Sequence, residues 1–162
     1  MSLTQAKAQA QDALDRFIST FERNANHCAP STVVAQFADT FIAAGPSGSM
    51  AVRASDFASA LAMRKQLFAK AGCKSSKLVS KKETLLGDRF AVLDTCWRFE
   101  FAPENGSAWD VETRSSFFLD LGDDLRVDDP KILVYAACQD ILKLLKEREI
   151  SQQANAPAPP HG

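Results

Sequence analysis

The sequence holds one tyrosine, two tryptophans and two histidines in 162 residues, and its four cysteines, Cys28, Cys73, Cys96 and Cys138, stand far apart with no CxxC pair. Zinc sites and disulfide frameworks need tighter or paired spacing, so neither is supported and no metal is expected. Cys96 and Cys138 fall in apolar strand patterns and read as structural free thiols, because a buried cysteine behaves as a small hydrophobe. His27 reads as a solvated loop residue and His161 as part of the C-terminal tail. A dinucleotide-binding glycine fingerprint and a GxxxxGK phosphate loop are both missing, so no cofactor is expected. No window approaches the ~18 consecutive apolar residues of a membrane span. The opening MSLTQAKAQAQDALDRF carries charges where a signal peptide would carry its apolar block, which predicts a cytoplasmic protein without a membrane partner. An excess of one charge sign is also lacking: 19 basic and 20 acidic side chains leave a formal charge of −1, so bulk electrostatics offers nothing to nucleic acid.

What is present is a core. Hydrophobic residues make up 46% of the chain and include 11 phenylalanines, enough for one domain over residues 1–150. Leu14, Phe17, Ile18 and Phe21 recur at helical spacing and predict a first helix from Leu3 to Arg23. Pro30, Ser31 and Thr32 start a short second helix reaching Ala38 and closed by Asp39. Two small strands, Thr40 to Ala44 and Met50 to Arg53, flank the turn GPSGS. Ser55 and Asp56 supply N-terminal capping chemistry for a third helix to Ala71, with Phe57, Leu61 and Phe68 inward.

The second half reads as long strands with a helical finish. Lys77 to Leu86 and Phe90 to Phe101 flank a tight turn, and the latter alternates Leu93, Thr95, Trp97, Phe99 and Phe101 against Asp94, Cys96, Arg98 and Glu100. Asn105-Gly106 marks the next turn, and Trp109 to Leu121 alternates Val111, Thr113, Ser115, Phe117 and Leu119 against Glu112, Arg114, Ser116 and Phe118. A further strand is expected between Leu125 and Ala137, broken near Asp128-Asp129-Pro130. DILKLLKERE returns to helical spacing, and residues 151–162 read as a disordered tail. Helices followed by a meander of strands predict an α+β domain, with N-terminal helices packed on a strongly curved mixed or antiparallel sheet.

The QFADT segment, the GPSG turn, the LGDRFAVLDTCW strand and the ENGS turn leading to RSSFFLDL occur in an order that resembles the nuclear-transport-factor-two-like superfamily, in its SnoaL-like and ketosteroid-isomerase-like branch. The resemblance implies a cystatin-like α+β cone around an internal pocket. Steroid isomerases of this branch use a carboxylate base, a tyrosine and a neutral carboxylic acid. Aligned on FAD and the following Pro and Gly, those positions fall at Gly45, Phe17 and Ser115, where the three functions are missing or weakened. Steroid isomerisation is therefore not expected.

Three roles follow. The first is a small-molecule-binding protein whose pocket is lined by Phe17, Phe41, Phe57, Trp97, Phe99 and Phe117, with Thr113, Ser115 and Tyr135 as polar handles. The second is an isomerase, cyclase or dehydratase using a non-standard acid/base set, for which Asp94, Arg98 and Glu112 are the candidates; cross-strand charges of this kind more often pair on a sheet surface. The third is an interaction module, with the homodimer that the resemblance implies formed through the outer sheet face.

Overall fold

The computed structural model describes residues 2–27, 29–123 and 129–154. Helix α1 (Leu3–His27) and the short α2 (Pro30–Val34) precede a hairpin of β1 (Phe37–Gly45) and β2 (Gly48–Arg53). Helix α3 (Ala54–Lys70) then leads into β3 (Cys73–Leu86), β4 (Phe90–Phe101), β5 (Trp109–Asp120) and β6 (Lys131–Ala137), and α4 (Ile141–Ala154) follows. The strands form one open six-stranded sheet in the order β2-β1-β6-β5-β4-β3. All neighbours are antiparallel except β1 and β6, so the fold is α+β with a mixed sheet.

The period-2 pattern of β4 and β5 sets the two faces. Leu93, Phe117 and Leu119 are fully buried on the inner face, where Leu14, Phe17 and Ile18 of α1 join the same core. Each such side chain contributes about 1.5–3 kcal/mol on burial. The long arm of α1 therefore lies across the sheet because its apolar stripe has no other surface to cover.

Helix α1 also closes one edge of the sheet. Strand β3 is an edge strand, and such a strand presents unpaired backbone groups that invite further pairing. Asn26 answers both groups of Ser76: its Oδ1 accepts the Ser76 N–H at 2.9 Å and its Nδ2 donates to the Ser76 carbonyl at 2.8 Å. Glu22 Oε2 accepts the Leu78 N–H at 2.5 Å. Further along, Lys81 donates to Asp15 of α1 and to Glu83. The bond from Lys81 lowers the Asp15 carboxyl below its ordinary value. A helix that had to pack on the sheet thus also supplies side chains in place of a missing strand.

Several boundaries differ from the sequence expectation. The second helix stops at Val34, and Phe37 to Asp39 belong to β1, where Phe37 pairs with Ile132 of β6. The Gln36 carbonyl accepts the Ile132 N–H at 2.9 Å and the Gln36 side chain donates to the Phe17 carbonyl at 3.2 Å, so long-range pairing overrides local helical preference. Asp39 is accordingly an exposed strand residue instead of a helix terminator, and His27 ends α1 instead of standing in a loop. Strand β3 starts at Cys73, four residues before the expected Lys77, because Cys73 pairs with Phe101. Helix α3 starts at Ala54, so Ser55 and Asp56 sit in its first turn, and Arg53 at the cap position makes no side-chain capping bond.

The α3–β3 turn leaves no room for a side chain. Gly72 has φ +85°, and a Cβ there would lie 2.7 Å from the Pro103 nitrogen and 2.8 Å from the Ala102 carbonyl group. Its own carbonyl accepts the Ala102 N–H at 2.8 Å, which clamps the start of β3 to the end of β4.

Strand β6 begins at Lys131; the earlier part of that expected strand, residues 125–128, lies outside the described residues. Helix α4 continues through Ala154, so the expected tail boundary at 150 falls inside it, and the remainder of that tail also lies outside the described residues. Ile141 and Leu145 turn α4 toward the core, and the Arg148 guanidinium lies 4.1 Å from the centre of the Trp109 ring. Cys73, Cys96 and Cys138 are free thiols; Cys138 is exposed, since β6 ends before it, and Cys28 lies outside the described residues.

Candidate functional site

A cavity of about 300 Å³ opens between the helices and the inner sheet face. That volume is at the lower end of the range for small-ligand sites. Phe21 of α1 and Phe57 of α3 form its roof, and Trp97, Phe99, Phe117 and Tyr135 form its sheet wall. The rings hold one another at angles. Phe21 meets Phe117 edge to face at 5.1 Å and Trp97 at 5.9 Å, and Phe117 meets Tyr135 at 5.3 Å. Offset and edge-on ring pairs add stabilisation beyond the area they bury, so the wall is preformed.

The polar groups of the wall divide into two sets. In the first, Trp97 Nε1 donates to Thr95 Oγ1 at 2.8 Å, Thr95 Oγ1 donates to the Ser115 carbonyl at 2.8 Å, and the two hydroxyls of Thr95 and Ser115 lie 2.9 Å apart. With the Thr95 proton given to the carbonyl, the Ser115 hydroxyl donates to Thr95 and retains only acceptor capacity. Trp97 accordingly shows the cavity its ring and not its N–H. In the second set are Thr113 and Tyr135. Both line the cavity, and neither hydroxyl has a hydrogen-bond partner among the described residues.

The rim is basic. Arg64 and Lys65 of α3, Lys74 of β3 and Arg114 of β5 line the cavity, and no carboxylate or histidine does so among the described residues. Cys73 also lines it, and burial pushes its thiol above the ordinary value, partly offset by the charge of Arg64. A thiol held protonated is a poor nucleophile. Among the described residues no group of His, Cys, Asp and Glu side chains is arranged to hold a metal ion, and no helix is long and apolar enough to cross a membrane.

Several solved structures share this arrangement. A nuclear-transport-factor-two-like protein with a cystatin-like fold from Novosphingobium aromaticivorans superposes with a TM-score of 0.65 at 11% identity, over 89% of this chain and 96% of that one. The chain has the nuclear-transport-factor-two-like fold. A scytalone-dehydratase-like protein of the same organism gives a TM-score of 0.65 at 8% identity, over 83% of this chain and 87% of that one. The β subunit of benzoate 1,2-dioxygenase from Burkholderia mallei gives 0.61 at 11% identity, over 81% and 91%. No protein-family model and no curated protein matches the chain by sequence.

Within the nuclear-transport-factor-two-like fold the expected site residues separate by face. Phe57, Trp97, Phe99, Thr113, Ser115, Phe117 and Tyr135 line the cavity. Phe17 and Phe41 do not: both are buried core residues, Phe17 beneath Phe21 and Phe41 between Phe37 and Phe57. Asp94, Arg98 and Glu112 stand on the opposite face of the sheet. Arg98 donates to Glu112 at 2.7 Å and Ser116 donates to Asp94 at 2.5 Å. Arg114 borders the cavity through its backbone, while its exposed side chain keeps the expected place on the outer face between Glu112 and Ser116. Strand β6 ends at Ala137, opposite Ser115, so beyond that point β5 has no neighbour on that side, and Gln139 accepts the Arg114 N–H at 2.8 Å.

The sequence reading also passed over Arg64, which had a signal. Phe57, Leu61, Arg64 and Phe68 lie at i, i+4, i+7 and i+11 on one helical stripe. An arginine inside an otherwise apolar stripe faces whatever that stripe covers.

Proposed function

We propose that the protein binds a small, mainly apolar or aromatic molecule in the cavity between α1, α3 and the sheet. The observation that carries this reading is the pair of hydroxyls, Thr113 and Tyr135, that reach an aromatic-walled cavity with no partner among the described residues. A few unpartnered polar groups in a preformed apolar site are what orient a small ligand. The likeness to proteins of the same fold, some of them enzymes, is compatible with binding alone or with turnover. Acid/base chemistry by Asp94, Arg98 or Glu112 finds no support, because a ligand in the cavity would lie across the sheet from all three. A cytoplasmic setting belongs to the same proposal.

A thermal-shift screen against aromatic and hydrophobic metabolites tests it. A ligand at about 100 times its Kd stabilises by roughly 2.7 kcal/mol, a shift of about 5–11 °C at this chain length. The reading requires shifts that fall in the Thr113→Val, Tyr135→Phe double variant, which removes the hydroxyls and leaves the rings. Shifts indifferent to that change, or no shift from any compound, would overturn it.

A second reading, self-association through the outer face, has one specific observation behind it. Ala51, Ile42, Val134, Phe118, Val92 and Thr84 are register partners in succession, a row without charge that crosses all six strands. The Phe90 ring lies 5.6 Å from that of Phe118 beside it. Sedimentation equilibrium at micromolar concentration would give a dimer that Phe118→Asp converts to monomer; a wild-type monomer rejects this reading.

A further inference from the structure

Charge is distributed unevenly between the cavity and the rest of the surface. The chain is balanced, with 19 basic and 20 acidic side chains, yet basic residues of α3 and β3 and no described carboxylate line the cavity. Elsewhere arginines meet carboxylates: Arg98 bonds Glu112, and Arg89 bonds Asp120 at 2.9 and 3.0 Å. Arg64, Lys74 and Arg114 have no ion-pair partner among the described residues.

Arg64 is the most enclosed of these. It is half-buried on the cavity stripe of α3, its guanidinium lies 4.9 Å from the centre of the Phe68 ring, and its charge is felt at the Cys73 thiol. Stacking on an aromatic face leaves the edge of the guanidinium, with its parallel N–H donors, open to a planar acceptor. Lys74, the residue after Cys73, stands at the same corner and its start-of-strand position is held by Gly72. We infer that the cavity selects aromatic or apolar molecules carrying a carboxylate, the ring entering among Phe21, Trp97 and Phe117 and the carboxylate meeting Arg64 and Lys74 at the rim.

A carboxylate fits better than a cation or a neutral head group for two physical reasons. Arg and carboxylate match as a planar bidentate pair, strengthened where a low-dielectric wall reduces screening. A cationic ligand would instead meet the like charges of Arg64 and Lys74, and no carboxylate lines the cavity among the described residues. The inference rests on the reading of the cavity as a ligand site, and the two can fail separately.

The test uses three probes with one ring system: 1-naphthylacetate, its neutral amide, and protonated 1-naphthylmethylamine, titrated calorimetrically into the full chain. The carboxylate is expected to bind at least about tenfold more tightly than the amide, and the amine more weakly than either. Raising salt from about 0.05 to about 0.5 M should weaken the carboxylate and leave the amide unchanged. Arg64→Met should bring carboxylate and amide within about threefold of each other, while Arg64→Lys, which keeps the charge, should retain part of the preference. Lys74→Met, at an exposed position, gives a second reading should Arg64→Met fold poorly. Arg16→Gln, on the exposed face of α1, should match the wild type. An amide that binds as tightly as the carboxylate overturns the inference while the ligand site stands. A preference that survives both rim variants, or that Arg16→Gln reduces equally, also overturns it. Binding by none of the three probes while other neutral apolar compounds shift the melting temperature overturns the inference alone, and the absence of binding by the probes and by every screened compound removes the ligand site and the inference together.

Discussion

The two faces of β4 and β5 are made by the same twenty-odd residues in alternation, yet they handle polarity in opposite ways. On the inner face Thr95, Trp97 and Ser115 satisfy one another through neutral hydrogen bonds in a buried row. On the outer face Arg98, Glu112, Glu100 and Lys77 pair as ions with water at hand. A buried charge needs a partner and still loses hydration, whereas a hydroxyl needs only one or two bonds. The comparison shows why the charged residues that first suggest chemistry lie on the outside, while the hydroxyls left without partners lie within.

Breaking the inner face should cost most. Phe117→Ala removes a fully buried ring that Phe21 and Tyr135 both touch, and should lower stability by about 3–5 kcal/mol in urea denaturation. Thr95→Val keeps the shape and leaves the Trp97 N–H and the Ser115 hydroxyl short of a partner, with an expected loss of about 1–3 kcal/mol. A loss in Thr95→Val no larger than that of an exposed substitution would mean that water replaces the threonine and that the row is not closed.

The outer face should respond through pH. Bonds from Arg89, and then from the Gly122 N–H, hold the Asp120 carboxyl below its ordinary value of 3.8 against the opposing effect of burial. Its contribution is therefore complete above 3.8 and disappears as pH falls through the depressed native value. Asp120→Asn should narrow the gap to wild type as the urea midpoint is followed downward from pH 5 to pH 2.5, values chosen to span about one unit on either side of the unfolded carboxylate. A constant gap across that range would show that the Arg89 pair does not persist in solution. The smallest effect belongs to Arg98→Gln, whose side chain is exposed: the urea midpoint should not move measurably.

Much of this was legible in the chain itself. The alternation of β4 and β5 named the cavity wall from Trp97 to Phe117, because a strand's side-chain period does not depend on its neighbours. The first-helix stripe at Leu14, Phe17 and Ile18 was legible for the same reason at a period of 3.6. Phe17 and Phe41 were placed on the wrong side of the wall because periodicity distinguishes inside from outside and not core from cavity. Phe37 and Ala38 read as helix because the strand partner of Phe37, Ile132, lies in β6, nearly a hundred residues away.

The sequence by itself determined an α+β chain with an aromatic inner sheet face and a charged outer one. Those properties follow from side-chain identity and local period. Only the tertiary structure decided that β6 runs parallel to β1, that Asn26 and Glu22 close the β3 edge, and that Arg64 and Lys74 meet at one cavity. These depend on which segments approach each other across long chain separations, and no local pattern encodes that distance.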